Sequence, residues 1–313
     1  EPPHAVLSPA TPQPPPRPKT SPPSTPPTTH PLPTESVAQH YLTPRGIDIA
    51  VLEAHTGRPE TGHTPTNADG LVTTLRARGF SNDELVDAGL AHRNPDDGQL
   101  SDFYRQRVLI PVRDDHQRVV GLIGRNIGDQ QRWAKYKNPP RTAIYDKAVN
   151  LYQPLPAPAD PDGQVIIVEG TLDAIAIAVA AIRTGQANQY CPITQSGREL
   201  SAEQVRRVLD LHPGPPVLGF DADPAGQESN ARLMDVFDKV ARTPTIAVLP
   251  DGEDPASWLE KRGTAGLEAW SRRKQRLQTH GMRRPGPPRL RRVMPGGVRP
   301  AHELTAATET VGF

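Results

Sequence analysis

Residues Val165–Ala174 read VIIVEGTLDA, and the rest of the fold can be worked out from this stretch. Four β-branched apolar residues end abruptly at Glu169 and Gly170, and an alanine- and isoleucine-rich run follows at once. A short apolar run bounded by glycine reads as a buried strand, and the run after it, from about Leu172 to Ile182, reads as a helix. The same unit then recurs downstream. QYCPIT (Gln189–Thr194) is a strand, and SAEQVRRVLDLH is a helix capped by Ser201. PVLGF (Pro216–Phe220) is a third strand, followed by the helix PAGQESNARLMDVFDKVA. TPTIAVLP is a fourth strand, followed by the short helix PASWLEKRG. Apolar strands alternating with helices predict a parallel sheet covered on both faces, an α/β domain over residues 156–265.

The chain upstream has a different texture. SVAQHYLTPRGIDIAVLEAH (Ser36–His55) places apolar residues at helical spacing on either side of a Thr-Pro break, which predicts two short helices. In GLVTTLRARGFSNDELVDAGL (Gly70–Leu90), Ser81 and Glu84 are spaced as a capping box, and Gly89 ends the helix. RVLIPVRDDHQRVVGLIGRNIG (Arg107–Gly128) holds two apolar runs around the polar turn RDDHQR, a hairpin. A basic stretch with Trp133 follows, so residues 37–155 are expected to form a mixed α+β subdomain with a basic surface.

The two ends carry no such patterns. Residues 1–36 are rich in Pro, Thr and Ser and read as an unstructured, polyproline-like linker. From 266 to 313 the chain is basic and rich in Pro and Gly, with no acid between Glu268 and Glu303, and it is expected to be a disordered tail. The 38 prolines among 313 residues are too many for one compact fold of this length. With 36 basic and 35 acidic residues, net charge names no partner. The lone Cys191 excludes an internal disulfide and a cysteine-rich zinc site, fits a small apolar strand position, and suits a cytoplasmic setting. No apolar run approaches the roughly 20 residues of a membrane span. The chain starts at Glu1 rather than Met, which leads to the expectation of a piece of a longer polypeptide.

Acidic residues gather where function gathers in parallel sheets, just beyond the strands' carboxyl ends. Glu169 follows the first strand, with Asp173 one helical turn on. Asp221 and Asp223 follow the third strand, and Asp251 and Asp254 the fourth. If the extended geometry persists to Asp223, both side chains leave on the same side. Each acid alone would serve as a helix cap. Jointly they point to a hard divalent cation, for which oxygen ligands are suited. Gly170 and Gly226 would let backbone come close to that site. No Walker A or GxGxxG sequence is present, and the ten histidines are scattered.

EGTLDA, FDADPAG and LPDGEDP, with ITQSG between the first two, resemble the acidic motifs of the Toprim domain shared by primases, topoisomerases and some nucleases. YLTPRGI, DELVDAGL, DFYRQRVLIPVRDDHQRVVGLIGRNIG and AKYKNPPRTAIYDKAVNLY resemble the catalytic core of bacterial DnaG-type primases. The resemblance spans about Val37 to Gly263. It implies an RNA primer synthase using Mg²⁺ or Mn²⁺, with two divalent ions expected. Glu169, Asp221 and Asp223 would be catalytic, and these three with Asp173 and Asp254 would bind metal. Arg105, Arg107, Arg125, Lys135, Tyr136, Asn138 and Lys147 would face nucleic acid and incoming nucleotides. Tyr136 or Trp133 would be candidates to stack on a base. Implied partners are single-stranded DNA, ribonucleoside triphosphates, and a replicative helicase or a larger fused polypeptide. There are departures from the family pattern. Ala256 stands where an acid is frequent, FYR replaces RFR, NPPRT replaces NSPET, and the family's zinc-binding domain is not in this stretch. A Toprim nuclease or topoisomerase-like enzyme, and a non-catalytic DNA-binding module of a replication or mobilisation protein, are the competing readings.

Overall fold

The computed structural model describes residues 37–64, 70–128, 133–195, 200–240, 242–250, 252–263, 265–272 and 274–275. The expected linker over 1–36, Asp251, the Ser-Gly of ITQSG and the tail beyond 275 lie outside the described residues.

The chain begins with helix α1 (Val37–Leu42), a 3₁₀ turn at Thr43–Arg45, and α2 (Ile49–Thr56), so the Thr-Pro break divides two helices as expected. Strand β1 (Gly62–His63) leads to α3 (Gly70–Ala77) and α4 (Asn82–Asp87). The predicted capping box forms at α4. The Ser81 N–H donates to Glu84 Oε2 (2.8 Å), and the Glu84 N–H donates to Ser81 Oγ (3.3 Å). Gly89 then takes φ 68°, a left-handed conformation that glycine reaches without strain. A small β2 (Ala91–Arg93) and β3 (Leu100–Asp102) ladder precedes the hairpin of β4 (Arg107–Arg113) and β5 (Val119–Asn126). With β6 (Tyr136–Lys137) the hairpin completes a four-stranded sheet ordered β1-β4-β5-β6.

The second sheet has the order β12-β11-β10-β8-β9-β7. Its elements are β7 (Leu151–Tyr152), β8 (Gln164–Val168), α5 (Thr171–Arg183), β9 (Tyr190–Gln195), α6 (Ala202–Leu211), β10 (Val217–Leu218), α7 (Pro224–Asp238), β11 (Thr245–Ala247), α8 (Pro255–Arg262), α9 (Ala265–Arg272) and β12 (Lys274–Gln275). The inner four strands are parallel, as expected, but the edge strands β7 and β12 run antiparallel. Strand β7 lies on the early side of the expected boundary at 155 and still pairs with β9. The third strand stops at Leu218 rather than Phe220.

The expectation of a disordered tail from 266 fails over its first residues. Helix α9 buries Leu267 (0% exposed) and Trp270 (1%), and β12 pairs with β11. The basic composition of the region concealed two large apolar residues three apart, the spacing of one helix face.

Helix α5 joins the two halves. Every residue from Ala174 to Ala181 is buried. A helix that is apolar all round must be enclosed on all sides. It packs on β8 and β9, and also against α2, α8 and α9. Ala38, Leu42, Ile49 and Leu52 of the first two helices, Val108 and Ile110 of β4, and Ile175 and Val179 of α5 belong to one apolar cluster. An ion pair between Arg183 and Asp48 (2.6 Å) closes its rim. Helices α6 and α7 cover the opposite face with Val205, Val208, Leu233 and Phe237.

A shared core predicts shared unfolding. Ile177→Ala should cost about 2–5 kcal/mol by deleting buried methyl groups. Urea denaturation followed by circular dichroism and by tryptophan fluorescence should give one coincident transition, shifted to lower urea in the variant. Two separated transitions would contradict a common core.

Candidate active site

The strand ends place the acids along one edge of the second sheet. The exposed Glu169 follows β8, and its carbonyl accepts from Thr194 Oγ (2.8 Å) of the neighbouring strand. Asp221 and Asp223 follow β10, and Asp254 precedes α8. Capping is part of their work. The Gly226 N–H donates to Asp223 Oδ1 (2.7 Å), and the Ser257 N–H donates to Asp254 Oδ1 (2.6 Å). Each leaves its second carboxylate oxygen outside these bonds. Because the strand stops at Leu218, Asp223 is turned into the helix N-terminus instead of continuing β alternation.

Asp173 is held by backbone on both sides. Its Oδ2 accepts from the Gly170 N–H (3.1 Å) and its Oδ1 from the Ala256 N–H (3.3 Å). With both oxygens engaged by backbone, it braces the start of α5 against the start of α8. A Cβ on Gly170 would lie 2.3 Å from Asp173 Oδ2, so glycine is required for that brace.

Asp221 is the acid without compensation. Its Oδ1 is buried and has no hydrogen-bond partner. Burial first, then the charges of Glu169, Asp254 and Asp223, push its carboxyl up to about 6, and Lys135 opposes the shift. Burial, Asp254 and Asp221 push Asp173 up to about 7. These couplings show that acids from three strand ends feel one another. Among the described residues no three acidic, histidine or cysteine side chains form a ready-made metal cage. Mg²⁺ does not need one, since it keeps several waters and binds through one or two carboxylates. An orphaned buried carboxylate oxygen amid oxygen donors therefore fits a hard divalent cation.

The first sheet presents cations to this edge. The exposed Lys135 stands close enough to Asp221 to oppose its shift. The Tyr136 hydroxyl lies at the start of α5, 3.8 Å from where a Gly170 Cβ would be, and burial pushes the phenol up to about 12. The Arg125 guanidinium sits 4.8 Å from the Tyr136 ring centroid and donates through Nε to Tyr41 Oη (2.8 Å), while its buried Nη1 has no partner. One face of Tyr136 is thus covered by a cation, which limits it as a stacking platform. Arg105 is half-buried near Lys137, and Trp133 is half-buried. Asn138 and Lys147 are exposed, and the Lys147 carbonyl accepts from Gln204 Nε2 (3.0 Å).

Arg107 is the exception among the expected nucleic-acid contacts. It is 4% exposed and donates to the carbonyls of Gly124 (2.8 Å) and Ala134 (3.0 Å). It ties β5 to the segment before β6 and offers no surface to a ligand. Tyr41, which seats Arg125, and Arg45, whose guanidinium lies 3.9 Å from the Tyr41 ring centroid, were not singled out from the sequence. Their only sequence signal was the YLTPRGI stretch itself.

Two outcomes follow from this geometry. A Cβ on Gly226 would lie 2.1 Å from the Asp221 carbonyl oxygen, so Gly226→Ala must displace Asp221. The variant should weaken Mn²⁺ binding by about 10-fold or more, read by calorimetry, with secondary structure retained. Arg107→Met should remove the hydrogen bonds to the Gly124 and Ala134 carbonyls and lower stability by about 1–3 kcal/mol in urea unfolding. Single-stranded DNA affinity of the folded variant should stay within about 2-fold of the parent. A selective loss of DNA affinity would restore Arg107 to the interface.

Comparison with known proteins accords with this layout. Residues 29–157 match the DNA primase catalytic core, N-terminal domain, and residues 166–259 match a Toprim-like domain. A DNA primase of Deinococcus radiodurans is 34% identical over 233 residues, which is 74% of this chain and 38% of that protein. The chain therefore spans well under half the length of that relative. A DNA primase domain from Pseudomonas aeruginosa is 30% identical with a TM-score of 0.62, covering 78% of this chain and 73% of that one. The DnaG primase catalytic domain bound to ssDNA is 26% identical with a TM-score of 0.60, covering 76% of this chain and 71% of that one. Both matched segments, in order on one chain and extending over nearly three quarters of a primase domain, mean that the chain belongs to the family of DnaG-type DNA primase catalytic cores with a Toprim domain.

Proposed function

We propose that this chain is the RNA-polymerizing core of a primase, joining ribonucleotides into short primers on single-stranded DNA in the cytoplasm. The observation that carries the reading is the uncompensated Asp221 carboxylate at a sheet edge, opposed by Lys135 from the basic subdomain. Nucleotidyl transfer needs both elements, a place for divalent cations and positive charge for a triphosphate. A related catalytic domain has been captured with single-stranded DNA, which supports the choice of template.

Toprim-like domains bind divalent metals. Glu169, Asp221, Asp223 and Asp254 would hold Mg²⁺ or Mn²⁺, two ions being the expected complement. When bound, the metal supplies Lewis-acid stabilisation of charge on the transferring phosphoryl group and its leaving pyrophosphate. The protein's own groups do the rest. Asp221 and Asp223 orient the site from the β10–α7 turn. Glu169, exposed at the end of β8, would accept the proton of an attacking 3′ hydroxyl. Lys135 offers a point charge to phosphate, and Arg125, held by Tyr41 and Tyr136, contributes further positive charge. Arg105, Asn138 and Lys147 extend the polar surface along which template and nucleotide would lie. Asp173 keeps the α5 and α8 starts in register and acts through them.

Labelled ribonucleotides, single-stranded DNA and Mg²⁺ or Mn²⁺ should yield short RNA products. Asp221→Asn with Asp223→Asn should reduce synthesis by about 100-fold or more while DNA binding persists. Cleaved template without synthesis would replace this reading with a nuclease. No product from the parent with either metal would leave a DNA-binding module.

A further inference from the structure

Strand β10 is only two residues long, yet it must deliver Asp221 to a defined place three residues later. Main-chain hydrogen bonds hold that turn on two sides. The Gly219 N–H donates to the Ile167 carbonyl (2.8 Å), and the Ala222 N–H donates to the Glu253 carbonyl (3.2 Å). Gly226 closes against the Asp221 carbonyl from α7. The remaining support comes from α9, beyond the segment that matches a Toprim-like domain. A Cβ on Gly219 would lie 2.5 Å from Trp270 Cζ2 and 2.7 Å from Cη2, so the indole edge lies directly against the Gly219 backbone.

That indole is itself held firmly. Trp270 is 1% exposed, and its neighbour Leu267 on the same helix face is fully buried. Helix α9 is fastened to α8 by Trp258 Nε1, which donates to the Gly266 carbonyl (2.8 Å). Trp270 Nε1 is buried and has no hydrogen-bond partner. Stranding a buried donor costs free energy that a purely apolar side chain would not incur. What the indole contributes in return is reach, since its far ring edge extends to the turn that carries the acid.

We infer that Trp270 is a positioning residue for the divalent-cation site, a wedge against Gly219 that sets where the Asp221 carboxylate stands. The inference rests on the metal-binding reading proposed above. It assigns a functional part to a helix that composition alone placed in an unstructured tail. The wedge and the glycine form a matched pair, and the match can be tested in both directions.

Mn²⁺ titrations of the full chain, read by electron paramagnetic resonance of the free ion, separate the two claims. Circular dichroism at the same temperature confirms that each variant is folded. Gly219→Ala, which drives a methyl group into the indole, should weaken Mn²⁺ binding by about 10- to 100-fold. Adding Trp270→Leu to Gly219→Ala makes room for that methyl and should recover most of the loss. Trp270→Leu alone should weaken binding by about 10-fold, and it decides the question if Gly219→Ala does not fold. Parental affinity in Trp270→Leu, or a double variant no better than Gly219→Ala, would overturn the wedge while leaving the metal reading intact. A parent that binds no Mn²⁺ would overturn the metal reading, and the wedge with it.

Discussion

The burial of α5 on every side is the constraint from which the rest of the arrangement follows. A helix reading TLDAIAIAVAAIR has no polar face to give to water. The sheet can cover only part of it. The first two helices and α8 and α9 cover the remainder, and a single apolar cluster results. This fixes where the first sheet stands relative to the second. The start of α5 then becomes the meeting point of Gly170, Asp173 and the Tyr136 hydroxyl. A site built from two sheets would be loose if each half had its own core. Here the geometry of the acids and the cations is set by the packing beneath them.

Capping and metal binding are often treated as competing explanations for an acid at a strand end. Here capping takes some of the carboxylate oxygens and leaves others to the cation proposed above. Asp223 and Asp254 each use one oxygen on a helix N–H, Asp173 uses both, and Asp221 Oδ1 has none. Burial, and then the neighbouring negative charges, disfavour full ionisation, which is why Asp221 and Asp173 are pushed upward. A protein that keeps an unbonded carboxylate oxygen in such a place carries a destabilising feature without folding benefit. Strain of this kind is commonly concentrated at functional sites. Ala256 has its own part, since its N–H, not a side chain, reaches Asp173.

Much of this was legible in the sequence because it rests on local rules. The strand and helix rhythm of the second half, the Ser81 and Ser201 caps, and the hairpin around RDDHQR depend on neighbours within a few residues. Glu169, Asp221, Asp223 and Asp254 were legible because strand ends of a parallel sheet converge by topology. What escaped depends on partners far along the chain. Arg107 looks like any surface arginine until the carbonyls of Gly124 and Ala134 are seen to enclose it. Tyr41 lies 84 residues from the Arg125 that it seats. Helix α9 was hidden by basic residues around Leu267 and Trp270, whose burial only the packed α8 and sheet reveal. The two-residue edge strands carry too little pattern to register at all.

The central claim is that the carboxylate edge and the basic edge serve one bound nucleotide together. A crystal structure of the chain soaked with Mn²⁺ and a non-hydrolysable ribonucleoside triphosphate tests it most directly. The account predicts anomalous Mn²⁺ density within coordination distance of Asp221, with the triphosphate between that ion and Lys135. Metal bound away from Asp221, or a nucleotide that leaves Lys135 and Arg125 untouched, would contradict it.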